Sequence, residues 1–375
     1  MMNSNNEKIN LKMKRTITAI LLAVIVLLLI CIIAKSCSDT DEQPNATSNG
    51  VISTPEITLT PSSSFSNETP FTSPDNGHTA VPSPSAVVTD SPITQKPQTP
   101  KPSGATPNAE TDKPFPTSKD SNGIYSKYAY MINIDKNKVA FEKNADLAMY
   151  PASMTKIMTV IIALEEIDDY NVKITMDSDF YDYLDEEGAS VAGFVAGERV
   201  TAKMLLYGAM LVSGAECCIQ LARHVAGTEE AFYKLMNDKA RDLGMLNTHY
   251  NSTTGLFNEN NYTTVRDVAI LMEYAIKNDE FYKIITSKKF IGNATNKKPD
   301  GFTLRNAVLT NADTYIDIDD GKFIGGKTGY IMKAGMCLAS IAEINGERYI
   351  LVTAGGNRAN GSVHFVDANY LYNNF

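Results

Sequence analysis

Residues 151–164 read PASMTKIMTVIIAL, an apolar stretch with a single charged side chain, Lys156. Pro151 suits the start of a helix, and the apolar residues after it predict a helix buried in a domain core. A lysine is seldom buried without a partner or a task. Ser153 precedes Lys156 by three residues, so on a helix the two side chains share one face. The stretch therefore predicts a buried helix that presents a serine beside a lysine.

The pairing of Ser153 with Lys156 predicts nucleophilic chemistry. Burial lowers the pKa of a lysine because it disfavours the charged form. A neutral lysine can accept the proton of a serine hydroxyl, and a helix N-terminus favours the negative charge that then develops. Ser-x-x-Lys alone is a weak pattern, expected by chance about once in a few hundred residues. Other motifs must therefore support it.

The residues on either side of this stretch predict a sheet built from both ends of a domain. Residues 129–135 and 139–144 read as one hairpin, and a second hairpin turns at Asn345-Gly346. Helices are predicted between the hairpins and near the end of the chain; they follow Thr201, Thr228 and Thr264 and cover 215–226 and 365–372. The predicted fold class is α/β of the α+β kind, with one antiparallel sheet and a helical region packed on it.

The first third of the chain has a different composition. Residues 1–15 form a basic tail, and residues 16–34 carry no charge and are long enough to cross a bilayer. The basic side should stay in the cytoplasm, which predicts a single-pass anchor with the rest of the chain outside. A cleaved signal peptide is the alternative, although its apolar core is usually shorter. Residues 35–122 are rich in Pro, Ser and Thr and predict a disordered linker, which leaves 123–375 as the folded domain.

Charge, cysteines and histidines argue against several classes of protein. The net charge of -9 gives no basic excess, so nucleic acid is not an expected partner. The five cysteines match no disulfide framework or zinc site, and adjacent Cys217 and Cys218 are predicted to be small core residues. His224, His249 and His364 lie far apart in the predicted domain, which argues against a zinc peptidase. A G-x-S-x-G serine motif is also absent from the sequence.

A second motif, GKTGY at 326–330, stands just before the last predicted hairpin. Lys327 and the Thr328 hydroxyl, placed at a sheet edge, can hold a carboxylate. Gly329 allows a substrate backbone to lie close to the strand. Taken alone, the same residues also fit a glycine-rich turn with an exposed lysine.

A third pattern, VSGAECC at 212–218, places Ser213 between two predicted helices. Two interpretations are open for this serine. It is a candidate proton shuttle to a leaving amine, or it is an ordinary N-cap of the helix over 215–226.

In this order, the three patterns resemble the motifs of penicillin-binding proteins and serine β-lactamases, which are Ser-x-x-Lys, Ser-x-Asn and Lys-Thr-Gly. The surrounding sequence is similar to one branch, the low-molecular-mass D-alanyl-D-alanine carboxypeptidases. The stretches that carry the similarity are AMYPASMTKIMT, LARHVAGTEEAFYKLMNDKARDLGM, NSTTGL and GGKTGYIMKAG. The resemblance covers about residues 125–375 and implies the penicillin-binding, β-lactamase-like transpeptidase fold.

The resemblance also implies a reaction. Ser153 would attack the carbonyl between the two terminal D-alanines of a peptidoglycan stem peptide, and Lys156 would take the hydroxyl proton. Ser213 would help to pass a proton to the departing D-alanine. Lys327 and Thr328 would hold the terminal carboxylate.

The remaining implied features concern the transition state and the surroundings. The backbone N–H groups of Ser153 and Tyr330, the residue after Gly329, would form the oxyanion hole. Water would release the acyl-enzyme, and β-lactams would trap Ser153 by mimicking the D-Ala-D-Ala end. The resemblance implies that no metal and no organic cofactor is needed. The expected location is a bacterial cell membrane, with the catalytic domain on the extracytoplasmic side.

The sequence departs from the family pattern at two places. The second motif reads Ser213-Gly214-Ala215, so the expected Asn is missing, although Glu216 or water could compensate. Tyr330 stands where related enzymes often carry a histidine. A catalytically weak or inactive wall-binding protein is therefore the alternative function. A class A β-lactamase is a further alternative, but no Glu-x-x-Leu-Asn stretch lies between the second and third motifs.

Overall fold

The computed structural model describes residues 114–375. The predicted basic tail, the predicted membrane span and the linker up to residue 113 lie outside the described residues, so these assignments stay predictions. No helix in the described part of the chain has both the length and the apolar character needed to cross a membrane.

An antiparallel sheet of five strands is built from both ends of the described chain. Its order is β2-β1-β9-β8-β7, and two small two-stranded sheets pair β3 with β4 and β5 with β6. The first strand pairs directly with the last, which confirms the prediction of a sheet closed by the two ends. The strands of residues 114–375 are β1 (Tyr128–Asn133), β2 (Lys138–Lys143), β3 (Lys173–Thr175), β4 (Arg199–Thr201), β5 (Lys289–Gly292), β6 (Phe302–Arg305), β7 (Gly321–Ile331), β8 (Gly335–Ile344) and β9 (Glu347–Gly356).

Helices occupy the stretch between the two hairpins and the end of the chain. Those of residues 114–375 are α1 (Lys156–Glu166), α2 (Tyr181–Glu186), α3 (Ala202–Leu211), α4 (Ala215–Ala226), α5 (Glu229–Asp242), α6 (Val265–Ala275), α7 (Asp279–Thr286), α8 (Ala307–Tyr315) and α9 (Val363–Asn374). Thr201, Thr228 and Thr264 each accept a backbone N–H from the first turn of the helix that follows. These three N-caps confirm the predicted helix starts.

The sheet separates two hydrophobic cores because successive side chains of a strand point to opposite faces. Tyr130 of β1 and Val352 of β9 pack with most of the helices. Met131 and Leu351, their neighbours, pack on the other face with Phe365 of α9. Helix α1 lies in the larger core, and nine of its residues are buried. The apolar stretch after Ser153 is therefore the central helix of the helical side.

Contacts with the folded part begin before the predicted domain start at residue 123. The side chain of Asn357 donates to the carbonyl of Phe115 at 3.2 Å, and Asp120 pairs with Lys143 at 2.7 Å. The free and buried cysteines of residues 114–375 include Cys217 and Cys218, which confirms that these two are core residues and not a bridge.

Candidate active site

The nucleophile candidate lies in a tight turn that leads into α1. Residues Ala152–Thr155 form a 3-10 helix, and the α-helix begins at Lys156. The sequence predicts Ser153 in the first turn of an α-helix, so the observed turn is narrower than expected. A 3-10 turn has three residues per turn and therefore stacks residues i and i+3 directly. The Nζ of Lys156 accordingly lies 3.2 Å from the Oγ of Ser153.

Two glycines pack against the backbone of this turn and hold it in place. A Cβ on Gly255 would lie 1.8 Å from the carbonyl oxygen of Ala152, and one on Gly329 would lie 2.9 Å from the nitrogen of Ser153. Ala152 itself has a φ of 48°, a left-handed conformation that is costly for alanine. The strained turn and its close neighbours bring α1, β7 and the loop at Gly255 to one point.

Lys156 is buried and lacks a carboxylate partner among the described residues. Its side chain is 2% exposed, and Nζ also donates to the carbonyl of Thr254. Burial lowers the pKa of Lys156, and the nearby Cys218 and Glu216 offset only part of this effect. A lysine in this state is suited to accept a proton from Ser153.

A second buried lysine stands across the site on β7. The Nζ of Lys327 donates to Ser213 Oγ at 3.0 Å and to the Thr328 carbonyl at 2.7 Å. Burial, with the nearby charge of Lys156, lowers the pKa of Lys327 to about 7. Of the two interpretations of Ser213, the structure excludes the N-cap, because Gly214 caps α4 and makes no side-chain bond there.

A cleft runs along the free edge of β7 and passes over Ser153. One half, of about 470 Å³, is lined by Ser213 and by Lys327, Thr328 and Tyr330 of β7. The other half, of about 610 Å³, is lined by Lys156 and by Ala215 of α4. Both halves share Ser153, so the cleft can hold an extended ligand with its reacting carbonyl at this serine.

The position expected to carry an asparagine faces the cleft, but its neighbour does not replace it. Ala215 is 1% exposed and starts α4, with its N–H bonded to the carbonyl of Ser190 at 2.8 Å. The carboxylate of Glu216 accepts from the N–H groups of Ala192 and Gly193 and makes no bond to either lysine. Direct compensation by Glu216, considered from the sequence, is therefore not observed.

The cleft also contains residues that the sequence analysis missed. Arg358 lines both halves, and its guanidinium lies 4.7 Å from the centre of the Tyr330 ring. His364 lines the Lys327 half, where burial lowers its pKa to about 4 and keeps the imidazole uncharged. A single arginine in the NRANG loop and a lone histidine give no local signal, since only the fold brings them to the site.

All of the predicted site residues line this one cleft. They are Ser153, Lys156, Ser213, Lys327, Thr328, Gly329 and Tyr330. Their assigned roles stay predictions, because the structure gives their positions and surroundings but no reaction. The arrangement can support attack by an activated serine on a ligand that ends in a carboxylate.

Comparison with known proteins places this site in a family. The D-alanyl-D-alanine carboxypeptidase family matches residues 115–358. The D-alanyl-D-alanine carboxypeptidase DacF of Bacillus subtilis is 32% identical over 233 residues, which cover 62% of this chain and 58% of that protein. A D-alanyl-D-alanine carboxypeptidase of a Streptomyces species is 30% identical over 254 residues, which cover 66% of this chain and 84% of that protein. The match thus spans less than two thirds of the Bacillus relative.

Solved structures agree with the sequence relatives. A Streptomyces DD-transpeptidase crystal structure has a TM-score of 0.60 and 28% identity, covering 68% of this chain and 99% of that one. Penicillin-binding protein 5 of Haemophilus influenzae has a TM-score of 0.57 and 26% identity, covering 66% of this chain and 70% of that one. The predicted penicillin-binding fold is confirmed, and the chain belongs to the D-alanyl-D-alanine carboxypeptidase family.

Proposed function

We propose that this protein is a serine-type D-Ala-D-Ala carboxypeptidase that removes the terminal D-alanine of peptidoglycan stem peptides and is acylated by β-lactams. The observation that carries the proposal is the 3.2 Å distance between Ser153 Oγ and the Nζ of buried Lys156. Membership of the family and the names of the relatives support the same reaction.

Acylation begins with the proton of Ser153. In the structure the Nζ of Lys156 donates to Ser153 Oγ and to the Thr254 carbonyl; in its neutral form, which burial favours, the same amine can accept the hydroxyl proton across the 3.2 Å contact. The Ser153 oxygen forms a bond to the carbonyl carbon between the two D-alanines, and Lys156 takes the proton. The proton then passes by way of Ser213 to the amine of the leaving D-alanine, and the C–N bond breaks.

The Lys327 half of the cleft holds the terminal carboxylate of the substrate. Lys327, whose pKa is about 7, becomes fully charged when a carboxylate binds beside it, because the opposite charge favours the protonated form. The Thr328 hydroxyl and the Arg358 guanidinium offer further donors in this half. The leaving D-alanine is therefore the part of the substrate that the enzyme recognises by charge.

The close contact between β7 and the turn creates the oxyanion site. Because a Cβ at Gly329 would lie 2.9 Å from the Ser153 nitrogen, the backbone of β7 approaches the nucleophile directly. The N–H groups of Ser153 and Tyr330 stabilise the negative oxygen of the tetrahedral intermediate. Water then attacks the acyl-enzyme, the Ser153 ester bond breaks, and the serine regains its proton.

The missing asparagine supports the alternative of an inactive binding protein less than it first suggests. Ala215 removes one amide from the cleft, but both lysines, Ser153 and Ser213 keep their contacts. An inactive descendant has no need to keep two lysines buried without carboxylate partners, since that burial is costly. An active enzyme is therefore favoured.

The anchoring of the catalytic domain is a separate part of the proposal. The uncharged run 16–34 after the basic tail 1–15 supports a membrane anchor with the domain outside. Cell fractionation tests it: the full chain should sediment with membranes and be digested by protease added outside spheroplasts. Recovery in the soluble fraction would contradict the anchor but not the reaction.

The test of the reaction uses the full chain in detergent. Brief exposure to benzylpenicillin should add the mass of one β-lactam to the wild type, and a D-Ala-D-Ala peptide should release D-alanine. Ser153→Ala should lose both. Ser340→Ala is the matched control, because this buried serine bonds Tyr372 behind the sheet and should keep both activities.

Each other outcome has a definite meaning. An adduct that is lost within minutes would indicate β-lactamase behaviour. A stable adduct without D-alanine release would indicate a penicillin-binding protein that is a poor carboxypeptidase. The absence of any adduct on the wild type would overturn the proposal and favour the wall-binding alternative.

A further inference from the structure

The wall of the cleft opposite β7 is a loop, residues 187–197, that the proposed mechanism does not use. Gly188 and Ser190 of this loop line both halves of the cleft, on either side of Ser153. Residues 188–194 contain no helix or strand of their own. The width of the cleft therefore depends on what holds this loop.

Glu216 binds the backbone of the loop from inside the protein. One oxygen, Oε1, accepts from the N–H groups of Ala192 at 2.6 Å, Gly193 at 2.9 Å and Phe194 at 3.4 Å. Glu216 is fully buried, and its Oε2 has no hydrogen-bond partner within residues 114–375. A buried carboxylate without a cation is costly, so this one is retained for the three donors that it collects.

Two glycines near Glu216 allow the loop to pack closely against the start of α4. Gly208 and Gly214 leave no room for a side chain, because a Cβ on either would lie 3.1 Å from the Cβ of Ala192 and closer still to Cys217 Sγ. Gly193 has a φ of 89°, which lets consecutive N–H groups converge on one oxygen. The contact between the loop and α4 therefore depends on glycines in both segments.

The second motif is continuous with this contact. Ser213 accepts from Lys327, Gly214 packs on Ala192, the Ala215 N–H donates to the Ser190 carbonyl, and Glu216 accepts from the loop. Four consecutive residues therefore join the catalytic serine of the second motif to the opposite wall of the cleft.

We propose that Glu216 is a positioning residue: its buried carboxylate clamps residues 192–194 to the start of α4 and so sets the distance from the Ser190 wall to Ser153. This inference rests on the proposed function. The second motif of this chain lacks the asparagine whose amide would contact the substrate. The Ser190 wall, held to the start of α4, can then orient the acyl part of the substrate.

Two variants separate the clamp from the charge. Glu216→Asp keeps the charge but shortens the side chain by one methylene, so it cannot reach the three N–H groups together. Glu216→Gln keeps the length and one accepting oxygen but removes the charge. Asp267→Asn is the matched control, because Asp267 is also a buried carboxylate, which accepts the backbone N–H of Asn247 and the Thr248 hydroxyl but lines neither half of the cleft.

Three measurements apply to the full chain: the second-order rate of acylation by benzylpenicillin, KM and kcat for a D-Ala-D-Ala peptide, and hydrogen exchange at the amides of 192–194. Glu216→Asp should slow acylation about tenfold or more, as expected for lost hydrogen bonds to a charged acceptor. KM should rise, and the three amides should exchange faster. Glu216→Gln should lie between Glu216→Asp and the wild type.

The inference is overturned by any one of three results. Glu216→Asp could acylate at the wild-type rate with unchanged KM. Alternatively, Asp267→Asn could lose as much acylation for the same drop in melting temperature, which would make the effect one of general stability. If the wild type is not acylated at all, the proposed function fails, while unchanged exchange at 192–194 in both variants would show separately that the clamp does not exist.

Discussion

Charged groups are buried in several parts of the domain, and two of these parts hold them differently. Behind the sheet, the carboxylate of Asp367 accepts the N–H groups of Tyr125 and Ser126 and the Ser126 hydroxyl. In the cleft, Lys156 and Lys327 each have two oxygen partners within residues 114–375, and none of these four oxygens belongs to a carboxylate. An ammonium group has three N–H donors, so each lysine keeps one unused.

The difference separates a charge that supports the fold from charges kept for a ligand. Asp367 fastens the start of the domain to α9, and its donors repay part of the cost of burial. The two lysines are buried without a carboxylate partner among the described residues, and this burial lowers their pKa values and suits them to take up a proton or a carboxylate. Removal of the Asp367 charge should therefore destabilise the fold. Removal of a lysine charge in the cleft should instead destroy activity without destabilising the fold.

The largest expected effect is on catalysis at Lys156. Lys156→Arg keeps a positive charge, but a guanidinium does not deprotonate near neutral pH and cannot act as the base. Acylation by benzylpenicillin should fall by about 10²–10⁴-fold, the usual contribution of a general base. Stopped-flow or quench mass spectrometry would measure it, with circular dichroism to confirm folding. A well-folded variant with an undiminished rate would remove Lys156 from the mechanism.

The next effect is on stability at Asp367. Asp367→Ala leaves two buried N–H groups and a hydroxyl without their acceptor, so the free energy of unfolding should fall by about 3 kcal/mol. Urea denaturation measures the loss. Acylation by the folded fraction should stay at the wild-type rate, because Asp367 lies outside the cleft. A selective loss of acylation would break the division between the two regions.

Lys327 should show the opposite sign of stability change. The folded pKa of about 7 lies below the ordinary value of 10.5, so burial costs most below pH 7, where the lysine is charged in both states. That cost vanishes above the ordinary pKa, where the lysine is neutral in both. Lys327→Met should therefore raise the free energy of unfolding by about 2 kcal/mol at pH 6 and by almost nothing near pH 11. If Lys327→Met instead lowered the free energy of unfolding equally at both pH values, the two hydrogen bonds of Lys327 would contribute more than its desolvation costs.

The smallest effect is expected at Ala215. Ala215→Asn places an amide in the Lys156 half of the cleft and should raise the rate of D-alanine release by about fivefold, the worth of one modest hydrogen bond. Steady-state assay of the variant against the wild type measures it, with Ala215→Leu as a control for volume. A lower rate in Ala215→Asn would indicate that the cleft is organised around the small alanine.

Several local features could be predicted because their causes are local. The N-caps at Thr201, Thr228 and Thr264 and the turn at Asn345-Gly346 depend on neighbouring residues only, and the structure confirms them. The 3-10 turn at Ser153 could not be predicted, because its backbone packs closely against Gly255 and Gly329, which come from distant parts of the chain.

The sequence by itself determined the reactive groups and the outline of the fold: a serine and a lysine three residues apart, a Lys-Thr-Gly strand, and a sheet made from both ends of the domain. Only the tertiary structure decided which groups share the cleft. Arg358 and His364 enter it, Ser213 bonds Lys327 in place of capping a helix, and Glu216 turns away from the lysines to the opposite wall. The reason is physical, because burial, pKa and hydrogen-bond partners are properties of a packed surrounding, and most of that surrounding comes from residues far away along the chain.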